Sequence, residues 1–258
     1  MTRPTVSSLD SGLRLLQALV DAGGPIGVTK LSAVLHMDKS MVHRILSTLK
    51  AGGYVFQDED TRKYELGSEL VALSGKVLRS GSLEALVRPS MRELRELTGE
   101  TVHLARLLED RAVYIGREDG IHLVTVTAHI GQREPLYCTA TGKVLLAFLP
   151  DRELQAALAR MTLVPHTPQT MTSKDALHTH LIQVRKQGFA MDDMEFHEGV
   201  RCLAAPVRDY NGAVLAALGI SGPIMRMTTA RVPELSQHVM RCAAEASARF
   251  GYASGQGL

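Results

Sequence analysis

The hydrophobic period of this chain changes abruptly near residue 52, and that change limits what its first quarter can fold into. Before it, apolar residues recur at helical spacing in three short runs, each cut off by residues that end helices. Leu9, Leu13, Leu16, Leu19 and Val20 mark one face of a first helix, which stops at Gly23, Gly24 and Pro25. Thr29 is placed to cap a second helix carrying Leu31, Val34 and Leu35, and His36, Met37 and Asp38 leave room only for a tight turn. Asp38 is placed to cap a third helix over residues 39–51, ended by Gly52 and Gly53. Its Val42, Ile45, Leu46 and Leu49 turn inward, which leaves Ser40, His43, Arg44, Ser47 and Lys50 outward or flanking. Beyond residue 53 the period is that of strands: Tyr54, Val55 and Phe56, a polar turn at Asp58, Glu59 and Asp60, then Lys63 to Leu66. A helix, a helix-turn-helix and a hairpin in that order predict a winged helix-turn-helix, whose last helix presents its outward face to the major groove of DNA.

Residues 67–82 read as a further helix, with Leu70, Val71, Leu73, Val77 and Leu78 apolar, connecting two domains. The remainder alternates. A helix ends near Thr98, strand-like runs follow at 101–108, 112–116 and 122–128, and helices cover 141–161 and 174–187. Strands at 202–207 and 213–221 flank Asn211 and Gly212, a strong hairpin signal, and a helix over 230–250 closes the chain. Strands and helices in separate groups predict an α+β fold, with an antiparallel or mixed sheet flanked by helices, rather than a doubly wound parallel one. A length of 258 residues suits two domains.

Hydrophobic residues at 45% and charged ones at 22%, without a low-complexity tract, exclude disordered and fibrous classes. The longest mostly apolar stretch, 213–220, is far short of the roughly 18 residues of a membrane span, so no membrane partner is expected. Residues 1–12 are polar and carry Asp10, unlike the apolar core of a secretory signal. Three cysteines, Cys138, Cys202 and Cys242, form neither a CxxC pair nor a disulfide framework, which fits a reducing cytoplasm. A net charge of +2 neither demands nor excludes a nucleic-acid partner, so that question falls to local pattern.

Between Ile26 and Tyr54 four basic residues, Lys30, Lys39, Arg44 and Lys50, stand against one acid, Asp38. Arg44 can grip a guanine edge through two parallel hydrogen bonds or hold a phosphate, and Ser40, His43 and Ser47 are short groups suited to bases or backbone. Lys39, with Arg62 and Lys63 on the wing, completes the candidate DNA-binding set; the wing pair suits phosphate, or simply a solvated turn. Gly142 and Lys143 are not a nucleotide-binding loop, because Val144 follows where that motif needs a hydroxyl residue. The acidic run Asp192, Asp193, Glu195, His197, Glu198 lacks metal-ligand spacing and reads as a solvated loop. Cys202 opens an apolar strand with no base placed beside it, so it reads as a buried thiol. His178 and His180, two apart on a helix, point to different faces and read as surface residues. No catalytic set, metal or cofactor is expected.

Several motifs in this order carry a resemblance over nearly the whole chain. They are Ser40 to Leu49 followed by Gly52 and Tyr54; Tyr64, Glu65, Leu66, Gly67; Pro135, Leu136 with Thr139 to Lys143; and Gly199 to Val207 with Ser221, Gly222, Pro223. Through them the sequence resembles the IclR family of bacterial transcriptional regulators. The resemblance implies a winged-helix DNA-binding domain over 1–66, a linker helix over 67–82 used in dimerisation, a GAF-like effector domain over 83–252, and a tail at 253–258. It further implies an effector pocket walled by the backbone at Ala140 and Thr141, by Asp192, Cys202 and Ser221, and by apolar Leu123 and Val126. Gly219 stands where some relatives carry a second serine. Such a mixture suits a small organic acid, aromatic acids included, with Asp192 accepting a ligand hydroxyl or orienting its loop. The expectation is a ligand-responsive cytoplasmic regulator, repressor or activator, binding double-stranded operator DNA as a homodimer or dimer of dimers. A small-molecule enzyme with an accessory winged helix is the alternative, and it needs an acid, base or nucleophile set that the sequence does not display. A winged-helix interaction module without DNA specificity would need a recognition helix free of base-reading groups, unlike this one.

Overall fold

Ser11, Leu15, Ala18 and Leu19 are the residues through which α1 (Ser7–Asp21) reaches the interior. They meet Leu31 and Leu35 of α2 (Val28–Leu35) and Val42 and Leu46 of α3 (Lys39–Ala51) in one apolar cluster. β1 (Val55–Gln57) and β2 (Tyr64–Leu66), paired antiparallel, close it with Val55 and Tyr64, and α4 (Ser68–Arg79) follows. The computed structural model describes residues 6–79 and 82–253. Residues 80 and 81 of the expected linker, and the expected tail beyond Ala253, lie outside the described residues. The chain divides into two compact units between Ser82 and Leu83.

The first helix buries a different stripe from the one expected. Leu9, Leu13 and Val20 are 61%, 59% and 54% exposed. The helix carries two overlapping apolar stripes, and α2 and α3 pack on the one where Ser11 and Ala18 permit close approach. The second helix starts earlier than expected: Gly27, not Thr29, is its N-cap, its carbonyl accepting from the N–H groups of Lys30 and Leu31 at 3.1 Å. Val34 is left outside.

The second unit opens with α5 (Ser82–Thr98), β3 (Thr101–Leu108), β4 (Arg111–Glu118), β5 (Arg133–Glu134), α6 (Ala140–Ala147), α7 (Asp151–Arg160) and α8 (Lys174–Gln187). β6 (Ala190–Asp193), β7 (Val200–Arg208), β8 (Val214–Pro223) and α9 (Val232–Ala248) complete it. The six strands form one sheet in the order β5-β4-β3-β8-β7-β6, antiparallel throughout. Side chains alternate between its two faces. Val102, Leu104, Leu203, Val207, Leu218 and Ile220 fill one face and pack under α5 and α9. The other face carries small residues, Ala105, Ala112, Ala190, Ala204, Ala217 and Gly219, and on it lies α6, every residue of which is buried. Most of its residues are apolar, as suits an interior helix, and its one charged residue is Lys143. Burial of Val144, Leu145 and Leu146 contributes about 1.5–3 kcal/mol each.

Three expectations need correction. Residues 122–128 form a loop rather than a strand, because the pairing edge of β4 is taken by Arg133 and Glu134 of β5. The helical stretch over 141–161 is broken into α6 and α7 at Pro150, which lacks the N–H to continue α6 and instead stands at the head of α7. The acidic run begins inside a strand, β6, rather than in a loop. Among the described residues no helix is long and apolar enough to cross a membrane.

Gly142 lets α6 close on the preceding segment: a Cβ there would lie 2.6 Å from Leu136 Cα and 2.6 Å from its carbonyl oxygen. Gly142→Ala is therefore expected to cost about 1–3 kcal/mol despite the better helix propensity of alanine. Thermal denaturation followed by circular dichroism checks this, and an unchanged or raised Tm contradicts it.

Candidate functional site

Register across the sheet assembles the site in the second unit. Asp192 of β6 stands opposite Cys202 of β7, Cys202 opposite Ser221 of β8, and Ser221 opposite Thr101 of β3. One step along, Ala190, Ala204, Gly219 and His103 form a parallel row on the same face. A bulge between Leu104 and Ala105 sets Ala105 opposite Tyr114, which brings the Tyr114 ring over His103 at 4.8 Å between centroids. Of these groups His103, Tyr114, Asp192, Cys202, Gly219 and Ser221, with Val126, Glu134, Thr139, Ala140, Thr141 and Phe196, line a cavity of about 50 Å³. Ala204 and Gly219 make the space. A Cβ on Gly219 would lie 2.7 Å from the Leu203 carbonyl oxygen, so a second serine there would have to displace β7.

Thr139 caps α6, its hydroxyl accepting from the Gly142 N–H at 3.2 Å and donating to the Pro135 carbonyl at 2.7 Å. The N–H groups of Ala140 and Thr141 are left without partners in the helix and face the positive end of its dipole. Of the residues expected around an effector, Val126, Ala140, Thr141, Asp192, Cys202, Gly219 and Ser221 line the cavity. Leu123 does not. It is 106% exposed on the 122–128 loop and forms no wall, since that loop has no strand to turn it inward.

Asp192 orients its loop: its Oδ1 accepts from the N–H groups of Glu195 at 2.7 Å and Phe196 at 3.3 Å. Burial nevertheless pushes its carboxyl up to about 7, against the pull of those N–H groups and of Lys143. Lys143, wholly buried on α6, donates from Nζ to the Met191 carbonyl and to Glu195 Oε1. Burial raises the Glu195 carboxyl, with Lys143 opposing. Thr170 and Thr167 hold the same turn by donating to the carbonyls of Glu195 at 2.6 Å and Met194 at 2.7 Å. The acidic run is thus not a solvated loop. Asp192 and Glu195 are buried, and Asp193 pairs with Arg201 at 2.6 Å.

Three buried polar atoms of the cavity lining have no hydrogen-bond partner among the described residues: both ring nitrogens of His103 and Glu134 Oε2. Each such atom costs about 1–3 kcal/mol when left unpaired. Burial, with help from Arg117, lowers His103 to about 4, so its ring is neutral at pH 7 and offers one donor and one acceptor. Burial raises the Glu134 carboxyl. Burial likewise pushes the Cys202 thiol well above its usual range, with the Ser221 hydroxyl beside it. Sequence reasoning missed His103, Tyr114, Glu134 and Lys143. Only His103 left a signal, as an uncharged polar residue at an inward position between Thr101 and Ala105.

Two histidine expectations divide. Both are partly buried; His178 lies within 3.3 Å of Gln155 at the surface, whereas His180 turns its Nε2 inward, and burial with the nearby charge of Lys143 lowers it to about 4. Glu93, Cys242 and Glu245 come close enough to hold a metal, but Arg241 already pairs with both carboxylates, at 2.8 and 2.7 Å. That arrangement does not fit a cation.

In the first unit Lys39, Ser40, His43, Arg44 and Ser47 are all exposed on α3, and Arg62 and Lys63 are exposed on the wing. Asp58 Oδ1 shapes the wing turn, accepting from the N–H and the hydroxyl of Thr61 at 2.7 Å each, and these bonds hold its carboxyl below the usual range. Lys50 ties α3 to the wing through Gln57 Oε1 at 3.1 Å. His43 and Arg62 line a groove together with Gly27, Val28 and Thr29 at the start of α2. The fold thus places His43 of α3, the wing and the head of α2 around one concave face, while Ser40 and Arg44 border a separate hollow against α1.

The Asp192 carboxyl sets a pH dependence of stability. Unfolded it titrates near 3.8, folded near 7, so between those values the folded chain holds more protons and stability falls as pH rises. Asp192→Asn keeps an acceptor for the two N–H groups and removes this loss. The variant is expected to exceed the wild type by roughly 1–3 kcal/mol at pH 8 and to match it near pH 4. Denaturant titrations at the two pH values check this, and a variant less stable at pH 8 contradicts it.

Comparison with known proteins supplies independent findings. A family model described as the bacterial transcriptional regulator IclR C-terminal domain matches residues 75–248, and one described as the IclR helix-turn-helix domain matches residues 8–59. The chain is 41% identical over 248 residues to the HTH-type transcriptional regulator KdgR of Escherichia coli (strain K12), covering 96% of this chain and 94% of that one. It is 34% identical to the transcriptional repressor IclR of the same organism, over 95% of this chain and 90% of that one. Among solved structures, Pseudomonas aeruginosa HmgR superposes with a TM-score of 0.76 at 29% identity, covering 96% of this chain and all of that one, 100%.

Proposed function

Since the chain belongs to the IclR family of transcriptional regulators and carries its helix-turn-helix DNA-binding domain, we propose that it is a ligand-responsive regulator whose second unit binds a small organic acid. The observation that carries this reading is one cavity at the head of α6 whose lining includes buried polar atoms of His103 and Glu134 unpaired among the described residues. A buried polar group without a protein partner takes one from water or from a bound molecule. The reading assigns residues 1–66 to DNA binding, 67–82 to a linker helix, and 83–252 to the effector domain. It is a regulator and not an enzyme: the cavity's thiol, Cys202, is held protonated by burial, and no metal or cofactor enters the reading. It acts in the cytoplasm on double-stranded operator DNA, as a repressor or an activator.

In this reading Arg44 grips a base edge or phosphate from α3, with Lys39, Ser40, His43 and Ser47 around it and Arg62 and Lys63 of the wing on the phosphate backbone. Helix-turn-helix readers engage paired half-sites about one helical turn or a multiple apart, so the protein works as a homodimer or a dimer of dimers on a palindrome. Arg44→Ala is expected to weaken binding to a DNA site selected by the wild type by about 1–3 kcal/mol, while acid binding is unchanged. Lys63→Ala is expected to weaken all sequences alike and to flatten the dependence of log K on log salt by about one unit. Fluorescence anisotropy across a salt series checks both, and unchanged affinity for Arg44→Ala at fixed salt removes it from the recognition face.

The cavity's 50 Å³ is far below the roughly 300–1,000 Å³ of ligand pockets, so effector entry opens it. Ala140 and Thr141 N–H groups and the Ser221 hydroxyl meet the carboxylate, and Val126 meets its apolar body. A carboxylate beside Asp192 is tolerated only when Asp192 is protonated, and binding then takes up a proton. For the acid that binds best in a thermal-shift screen of small carboxylic acids, affinity is expected to be flat below about pH 7 and to fall up to tenfold per unit above it. Calorimetry from pH 6 to 8.5 in two buffers of different ionisation enthalpy reads both affinity and proton uptake. A pH-independent affinity removes Asp192 from the site.

A further inference from the structure

On the other side of the segment that walls the cavity lies a second hollow, a groove of about 450 Å³. Its floor is apolar, made by Pro135, Leu136, Ala157 and Met161, all at least half-buried. Its far wall, the stretch at Val164 and His166, is held in place by Tyr137: the phenolic oxygen accepts from the Val164 N–H at 3.0 Å and donates to the Val164 carbonyl at 2.8 Å. The groove is therefore preformed, and its volume falls within the range that small molecules occupy.

Its rim is cationic. Arg111, exposed beside the opening, makes no ion pair among the described residues. Arg160 meets Asp110 at 3.2 Å, a pair exposed on both sides and thus weak in water. His166 approaches the Tyr137 hydroxyl through Nε2 at 3.1 Å and is exposed beside the opening. Two guanidinium groups and an imidazole above an aliphatic floor, with one carboxylate among them, are complementary to a molecule with an anionic head and an apolar body. The interior cavity has the opposite character, with the Asp192 and Glu134 carboxyls in its wall and far less room.

We propose that this groove is a second small-molecule site, separate from the effector cavity, that takes an amphiphilic monocarboxylate with its head between Arg111 and Arg160 and its chain on Leu136 and Met161. The two hollows share one wall: Glu134, Thr139, Ala140 and Thr141 face the cavity, and Pro135, Leu136 and Tyr137 face the groove.

Octanoate is the probe, with octanol as its uncharged counterpart, on the full-length protein. A Val164→Cys variant puts a thiol in the groove, where the native side chain is exposed, while the three native cysteines are buried or half-buried. Octanoate is expected to slow labelling of that thiol by a chromogenic disulfide reagent, with the midpoint that calorimetry gives for the wild type, and octanol at equal concentration is not. The Arg111→Gln, Arg160→Gln double variant, altered only at the surface, is expected to bind octanoate about tenfold or more weaker, the loss of one or two charge-assisted hydrogen bonds. Ser221→Ala is expected to leave octanoate affinity unchanged. The proposal is overturned by any of four results: no calorimetric binding up to about 10 mM, equal protection by octanol, full affinity in the double arginine variant, or loss of octanoate binding in Ser221→Ala, which would place the ligand in the effector cavity.

Discussion

A lysine with no exposure to solvent has to have its charge answered where it sits, because moving an ammonium out of water costs several kcal/mol even after the protein relaxes. Lys143 is such a residue, and the groups that answer it are the Glu195 carboxylate and the Met191 carbonyl. The consequence is geometric. Lys143 sits one turn into α6, whose head supplies Ala140 and Thr141 to the cavity, while Met191 and Glu195 flank Asp192 on either side. One buried ion pair thus fixes the helix head against the carboxylate turn. Removal of either partner leaves the other charge buried alone, which in general costs about 3–5 kcal/mol. Lys143 also opposes the upward push that burial gives both neighbouring carboxyls, Glu195 and Asp192, while the Glu195 charge works the other way on Asp192.

The sheet supplies the other half of the constraint. Bulky Leu and Ile side chains on the face under α5 and α9 leave no gap, whereas alanines and Gly219 on the opposite face leave a trough deep enough for α6 and a cavity beside it. Polar groups collect at the end of that trough. Thr101, His103, Ser221, Cys202 and Asp192 come from four strands, and only the antiparallel register sets them side by side. A one-residue slip in β3, β7 or β8 would turn its polar residue to the other face and replace it with Val102, Leu203 or Ile220.

Local pattern made the first unit legible. The helix of residues 39–51 and the outward positions of Ser40, His43, Arg44 and Ser47 followed from spacing and from Gly52, because a short amphipathic helix with a capping residue and a glycine stop has few other readings. The stripe on α1 was misjudged for the opposite reason, as two apolar stripes overlap there and only the packing partner decides between them. In the second unit, lengths and turn residues located α8, β7, β8 and the Asn211, Gly212 hairpin. Pairing across the chain was not legible. Lys143 and Glu195 are 52 residues apart, and nothing local marks either as buried. The loop over 122–128 alternates like a strand but has no edge to pair with, and β5 and β6 are too short to leave a period.

The two units meet opposite physical demands within a chain of nearly neutral net charge. A DNA face works by solvent-exposed cations, whose attraction is long-ranged, is screened by salt and releases counterions on contact. In the proposed reading Lys39, Arg44, Arg62 and Lys63 answer that demand, all exposed and in no ion pair among the described residues. A ligand cavity works by burial, which strengthens each hydrogen bond inside it and moves the pKa values of its acids and bases. His103, Asp192 and Glu134 meet that demand, and in the proposed reading a ligand pairs with the free polar atoms of His103 and Glu134. Salt therefore acts chiefly on the first unit, and protons act on the second through Asp192. Any coupling between ligand and operator has to be reciprocal, so an acid that loosens DNA must itself bind the DNA-bound protein less tightly by the same factor.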